Sequence, residues 1–305
     1  MKKLSVLLAS ILLAMLSLCL FSGCNSNSIE GRYVFYSRTI YDTKIEKDSI
    51  VKGDVLEEYK VGDVGSDFTY TEDFLVINIY EDGRCDMLLK SQVKDNYLGW
   101  RMCFHWEETT QDYRINDIEN WIEILDNVLT PTGEDKISWH CTESSTYRQL
   151  AYMDKGDLVL YNNIGSGIEE FRLKKVKKDK AEKQRDELVG VYMFSSMTAT
   201  MDGETKTVTV GMPDEEGYAI EQIEMIVRLF GDGRACLMMD MLNIPNTWCT
   251  WRVEDGKVVI DCEKLQESFE TQGEVMFTVD GDKLVYQAGK DNIIGSIVLK
   301  KPNLH

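Results

Sequence analysis

In the second half of the chain, short runs rich in Val, Ile, Thr, Tyr and Met alternate apolar and polar residues. The runs are broken by Asp202-Gly203, Asp232-Gly233, Asp255-Gly256 and Asp280-Gly281. Period-two runs punctuated by Asp-Gly predict an antiparallel meander, sandwich or barrel. If Asp232-Gly233 and Asp255-Gly256 are two-residue hairpin turns, Leu229 pairs with Cys236, Val227 with Met238, Trp251 with Ile260 and Cys249 with Cys262. The looser turn at residues 243–246 then brings Cys236 opposite Cys249. One face of this patch would carry Ile223, Met225, Val227, Leu229, Cys236, Met238, Cys249, Trp251, Val253, Val258, Ile260 and Cys262, and is wholly apolar. The other mixes Glu224, Arg228, Thr250, Arg252, Lys257 and Asp261 with Ile226, Phe230, Leu237 and Trp248. A one-residue slip would turn the apolar face outward, so the alternation supports the register.

The pattern occurs twice. Gly31, Tyr33, Phe35 and Ser37 recur at identical spacing as Gly190, Tyr192, Phe194 and Ser196. "IYEDGR" (79–84) answers "LFGDGR" (229–234), and "DKISWHC" (135–141) answers "GKVVIDC" (256–262). "DLVLY" (157–161) answers "KLVYQ" (283–287), and "FRLKK" (171–175) answers "IVLKK" (297–301). Landmarks repeated in one order indicate a tandem duplication. The units run from 30 to 176 and from 188 to 303, with a charged linker at 177–187 that reads as partly helical. The first unit is longer mainly through residues 107–133. There Ile118, Trp121, Ile122, Leu125 and Leu129 recur at helical spacing and predict a short amphipathic helix on the barrel or over its mouth.

Ahead of both units, Lys2 and Lys3 precede an apolar run at 4–21 and then Ser22-Gly23-Cys24, the order of an export signal. "LFSGC" resembles the bacterial lipobox, with Phe21 where that motif prefers Leu. The resemblance implies cleavage after residue 23, diacylation of Cys24 and a tether at 24–29. An uncleaved membrane helix is the alternative, because the apolar run is nearly long enough to span. Either reading puts the rest on the extracytoplasmic face of a bacterial cell membrane.

Composition narrows the partners. Asp and Glu number 52 against 34 Lys and Arg, a net charge of −18, which argues against nucleic acid and anionic lipid headgroups. The 305 residues, 43% of them hydrophobic, suit two domains with cores of their own.

In the predicted register all three cysteines of the second unit point into the apolar interior, where a free thiol acts as a small hydrophobe. A disulfide or a metal site would be the chemical alternatives. In the first unit Cys103, His105, His140 and Cys141 suggest zinc. With Cys103 facing Cys141 in a strand pair, His105 shares their face and His140 points away, so the four do not converge and no metal site is expected. Cys85 also stands one place earlier after its turn than Cys236, unlike a duplicated active site.

The "GRYVFYS" and "GVYMFSS" openings, the "DGR" turns, the segments ending at Trp100 and Trp248, and the closing Lys-Lys strands together resemble the lipocalin-like domains of exported bacterial lipoproteins. The match covers about 29–176 and 188–302, although lipocalins proper open with Gly-x-Trp where Tyr33 and Tyr192 stand. The resemblance implies an all-β fold of two tandem antiparallel up-and-down barrels, each of about eight strands and able to hold one small ligand.

Nothing in the sequence matches a nucleophile elbow, an H-E-x-x-H helix, a phosphate loop or a dinucleotide fingerprint, and there are three histidines. The expectation is a non-catalytic binding module without a cofactor. Met225, Met238 and Trp251 would line a pocket for a small hydrophobic ligand if the barrel is hollow, and would be core if it is filled. The alternative is a surface scaffold or adhesion protein that meets another envelope protein through loops such as 211–219, with Phe230 and Trp248 as an apolar patch.

Overall fold

The computed structural model describes residues 28–46, 49–65, 68–90, 97–109, 121–132, 138–201, 203–271, 273–289 and 292–304. The expected signal, Cys24 and Ile118 lie outside them, as do the side chains of Cys103, His105, His140 and Cys141. Among the described residues no helix is long and apolar enough to cross a membrane.

The chain is all-β. Strands β1 (Gly31–Glu46), β2 (Ser49–Lys60), β3 (Leu75–Ile79), β4 (Arg84–Lys90), β5 (Tyr97–Thr109), β6 (Trp121–Thr132), β7 (Ser138–Asp154), β8 (Asp157–Asn163) and β9 (Ile168–Val176) form one sheet. The second consists of β10 (Gly190–Met201), β11 (Glu204–Thr209), β12 (Met225–Leu229), β13 (Arg234–Met239), β14 (Ile244–Glu254), β15 (Lys257–Asp261), β16 (Val275–Asp280), β17 (Lys283–Gln287) and β18 (Ile294–Lys300). β18 pairs with β10, which closes an eight-stranded antiparallel barrel and leaves β11 as an added hairpin strand on β10. The first sheet curls in the corresponding order, β8-β9-β1-β3-β4-β5-β6-β7, with β2 added on β1. A last strand, β19 (Asn303–Leu304), returns from the C-terminus to run parallel to β7.

The repeated opening and closing motifs are two ends of one contact. The Tyr33 hydroxyl donates to the Ile29 carbonyl at 2.6 Å, and the Tyr192 hydroxyl to the Leu188 carbonyl at 2.9 Å. Lys175 lies 5.8 Å over the Tyr33 ring and Lys301 lies 5.2 Å over the Tyr192 ring. The same lysines donate to the Ser28 and Glu187 carbonyls. A buried tyrosine thus ties down the chain entering each unit, and a lysine at the end of its last strand, or just past it, caps the ring. Between the units, a helix at Lys180–Asp186 carries a capping box, in which Asp179 accepts from the Glu182 N–H and Glu182 accepts from the Asp179 N–H.

Asp255-Gly256 forms the expected two-residue turn, with φ of +50° and +73°, and pairs Trp251 with Ile260. The turn at Asp232-Gly233 is one residue longer. The Phe230 N–H donates to the Arg234 carbonyl and the Gly233 N–H to the Phe230 carbonyl, so the loop is Gly231-Asp232-Gly233. The same pair of bonds joins Tyr80 with Arg84 and Gly83 in the first sheet. Leu229 therefore pairs with Ala235 rather than Cys236, and Val227 with Leu237 rather than Met238. On β14, Cys236 faces Trp248 and Cys249 faces Ala235, so the expected Cys236–Cys249 pair does not form. The extra residue moves Cys236 and Met238 to the outer face with Ile226 and Arg228, and brings Leu237 and Met239 inside.

The predicted helix is also corrected, since Trp121, Ile122, Leu125 and Leu129 lie on strand β6. Ile122 and Ile124 pack with the inner cluster of the first sheet, whereas Trp121 packs outside with Tyr152, Val159, Tyr161 and Ile168. Covering both faces of a strand removes strict alternation and leaves an apolar spacing that mimics a helical stripe. β6 also lies between β5 and β7, with His105 opposite Leu125 and Cys141 opposite Leu129. Cys103 and Cys141 are therefore not on paired strands, which corrects the pairing on which the zinc reading was tested.

Gly83 and Gly233 occupy equivalent turns at φ of +84° and +90°. A Cβ at Gly83 meets nothing within 4 Å, whereas one at Gly233 comes within 2.9 Å of the Arg185 guanidinium and 3.3 Å of the Trp251 carbonyl. Gly83→Ala is expected to cost only the left-handed backbone term, about 1–2 kcal/mol. Gly233→Ala should cost measurably more in urea unfolding, and equal losses would contradict this packing.

Candidate functional site

Of the residues expected to line a pocket, Met225 and Trp251 converge inside the second barrel, and Met238 does not. The interior around them is occupied by side chains. Met225, Val227, Leu229, Leu237, Phe277, Leu284, Ile297 and Leu299 are all 0% exposed, leaving none of their surface open to a water-sized void. The Trp251 indole N–H donates to the Phe230 carbonyl at 2.8 Å, the satisfied state of a core tryptophan. Met225 and Trp251 are thus core residues of this barrel.

The patch expected at Phe230 and Trp248 is covered as well. Phe230 is fully buried and lies 5.5 Å from the half-buried Trp248 ring. Tyr80 and Leu88 of the first sheet belong to the same apolar cluster as Val191, Ile226 and Phe230. The covering surface is the other half of the chain.

Gly231 lies at the centre of this junction. Its N–H donates to Asp86 Oδ2 at 3.1 Å, and its carbonyl accepts from Arg32 Nη2 at 2.7 Å. Asp86 also accepts from Asn78 Nδ2 at 2.7 Å and from the Tyr80 hydroxyl at 2.6 Å. Arg32 Nε donates to Asn78 Oδ1, and the same guanidinium pairs with Glu182 of the linker helix. A Cβ on residue 231 would collide with the Tyr80 hydroxyl, so close approach requires glycine here. Around the rim, Arg84 donates to the Val189 and Asp186 carbonyls, and Lys178 pairs with Asp186 and lies 4.8 Å over the Tyr80 ring.

Asn78 and Asp86 form the cross-strand pair that Arg228 and Cys236 form in the second sheet. The two halves therefore carry different chemistry at one framework position. Burial raises the Cys236 thiol, with Arg228 opposing, as expected of an unreactive cysteine. Cys85, one residue before Asp86, packs in the inner cluster.

A second polar cluster lies on the outer face of the first sheet. The Lys52 ammonium pairs with the buried Glu170 carboxylate at 2.5 Å, and the Tyr152 hydroxyl donates to the same carboxylate at 2.8 Å. Lys52 lies 5.1 Å over the Tyr41 ring, and burial followed by the Glu170 charge raises the Tyr152 and Tyr161 phenols. Trp121 Nε1 and the Tyr161 hydroxyl are buried there without hydrogen-bond partners. Residues 52, 121 and 170 are too far apart in sequence for any local pattern to announce the cluster. Two open grooves, of about 720 and 690 Å3, flank the linker helix and are lined by Lys183, Glu187 and neighbours of mixed charge. No group of three metal-ligating side chains occurs among the described residues.

The chain matches no protein-family profile and no curated protein.

Burial raises the Asp86 carboxyl above its ordinary value; the Asn78, Tyr80 and Gly231 donors oppose this and Asp232 adds to it. The folded state then takes up a proton more readily than the unfolded one, so the Asp86 contribution to stability is greatest below the ordinary carboxylate range and is lost as pH rises through the raised value. Asp86→Asn, which sets an amide N–H against one of three donors, is expected to cost about 1–3 kcal/mol. Urea unfolding from about pH 4 to about pH 8 should show the gap to the native protein narrowing with pH. A widening gap would contradict this electrostatic balance.

Proposed function

We propose that the chain is a lipid-anchored bacterial protein of the extracytoplasmic face, held through Cys24, whose two lipocalin-like barrels act as a non-catalytic scaffold for another envelope protein. In this reading the first sheet is the second copy of the barrel, supported by the β7–β8 ladder that joins its last neighbours. The observation that carries the proposal is the filled interior of the second barrel, which leaves no room for a guest around Met225 and Trp251. The polar groups at the junction are engaged in joining the halves. What remains for a partner is the exterior, where Val55 and Leu56 on β2, Val64 after it and Tyr218 in the 211–219 loop are among the exposed apolar side chains.

Native mass spectrometry of the full chain, delipidated after expression in bacteria, tests this directly. The expected result is the bare polypeptide mass. A co-purified small molecule, together with a tryptophan fluorescence shift on adding fatty acid, would overturn the scaffold reading in favour of a hydrophobic-ligand carrier. Cys24→Ala should move the protein from the membrane to the soluble fraction.

A further inference from the structure

The two-residue turn at Asp255-Gly256 fixes more than a register. Glu254 and Lys257 flank the turn, and pairing continues through Val253–Val258, Arg252–Val259, Trp251–Ile260 and Thr250–Asp261. Hydrogen-bonded and non-hydrogen-bonded pairs alternate outward from a turn of this kind. The flanking pair is hydrogen-bonded, so the next step beyond Thr250–Asp261 is a non-hydrogen-bonded position, where Cα atoms approach to about 4.5 Å and side chains are closest. Cys249 and Cys262 occupy it, and Cys262 keeps an extended backbone at φ −150° and ψ 111°. That spacing lies within the range a disulfide spans.

Both are free thiols, Cys262 buried and Cys249 half-buried, with Cys249 Sγ 3.7 Å from the Ala235 carbonyl. The two thiols interact with each other across the strand pair. That contact raises Cys249, and with the Leu265 and Lys264 N–H groups it lowers Cys262 against the effect of burial. A low thiol beside a high one is the arrangement of an exchange pair. Cys236, on the outer face beside Asn246 and Arg228, is excluded by the register.

We infer that Cys249 and Cys262 form a redox-modification site that closes into a cross-strand disulfide with a low-molecular-weight disulfide as oxidant. The Cys262 thiolate takes the proton of the half-buried Cys249, whose sulfur attacks one sulfur of the oxidant and breaks its S–S bond; the thiolate released takes the proton back from Cys262 and leaves as the first thiol. The Cys262 thiolate then attacks the Cys249 sulfur and expels the second thiol. Two electrons pass from the protein dithiol to the oxidant, and the two protons end on the released thiols. The bridge would lock β14 to β15 beside Trp251 and the start of the short helix at Glu263–Ser268.

The test incubates the full chain with glutathione disulfide, alkylates it under denaturing conditions and maps the peptides. The expected product has lost two hydrogens and gives one linked peptide pair containing Cys249 and Cys262. Cys249→Ser and Cys262→Ser should each abolish that species, and Cys236→Ser should leave it unchanged. Complete alkylation of both residues in the oxidised native protein would overturn the inference. So would a stable glutathione adduct on Cys249, or a bridge from Cys236 to either partner. The native peptide map decides the matter even if a serine variant fails to fold.

Discussion

The backbone of Gly231 is held at both of its polar groups, by Asp86 at its N–H and by Arg32 at its carbonyl, and the assembly of the two halves depends on that grip. It is available only because the Gly231-Asp232-Gly233 turn has three residues. With two, β13 would present its opposite face, and Cys236 and Met238 would be interior side chains. The extra residue puts them outside, where the first half of the chain covers them. The equivalent turn makes the same choice for Asn78 and Asp86, so one piece of turn geometry, used twice, creates both surfaces of the junction.

Burial on two sides follows. β3 and β12 are buried at every position, although each lies in an antiparallel sheet that could have left one face wet. Asn78, on β3, and Asp86, opposite it on β4, are satisfied within the junction, Asp86 by three donors and Asn78 by Arg32, as low-dielectric surroundings require. An apolar patch legible as a partner surface is in this chain an internal one.

Much of the framework could be read from residues alone. The duplication rests on landmarks whose role is now physical: Tyr33 and Tyr192 anchor, Lys175 and Lys301 cap, and Asp82 and Asp232 each accept from the arginine two residues on. The Asp255-Gly256 turn and its ladder were legible because both turn residues take positive φ, which that dipeptide favours. Asp232-Gly233 was not, because the same dipeptide also closes a three-residue loop in which only the glycine takes positive φ; the deciding hydrogen bonds are not written in the dipeptide. β6 was missed because tertiary cover on both faces erased its alternation. The Asp86 and Glu170 clusters join residues far apart in sequence, and only the closed sheets bring them together.

Amide hydrogen exchange tests the junction most directly. Gly231 and Glu81 hold the same position in equivalent hairpin loops, but only Gly231 donates to a buried carboxylate of the other half. The account predicts that the Gly231 amide exchanges as slowly as the β12–β13 ladder while the Glu81 amide exchanges at the rate of an open loop. Equally fast exchange at both positions would contradict it.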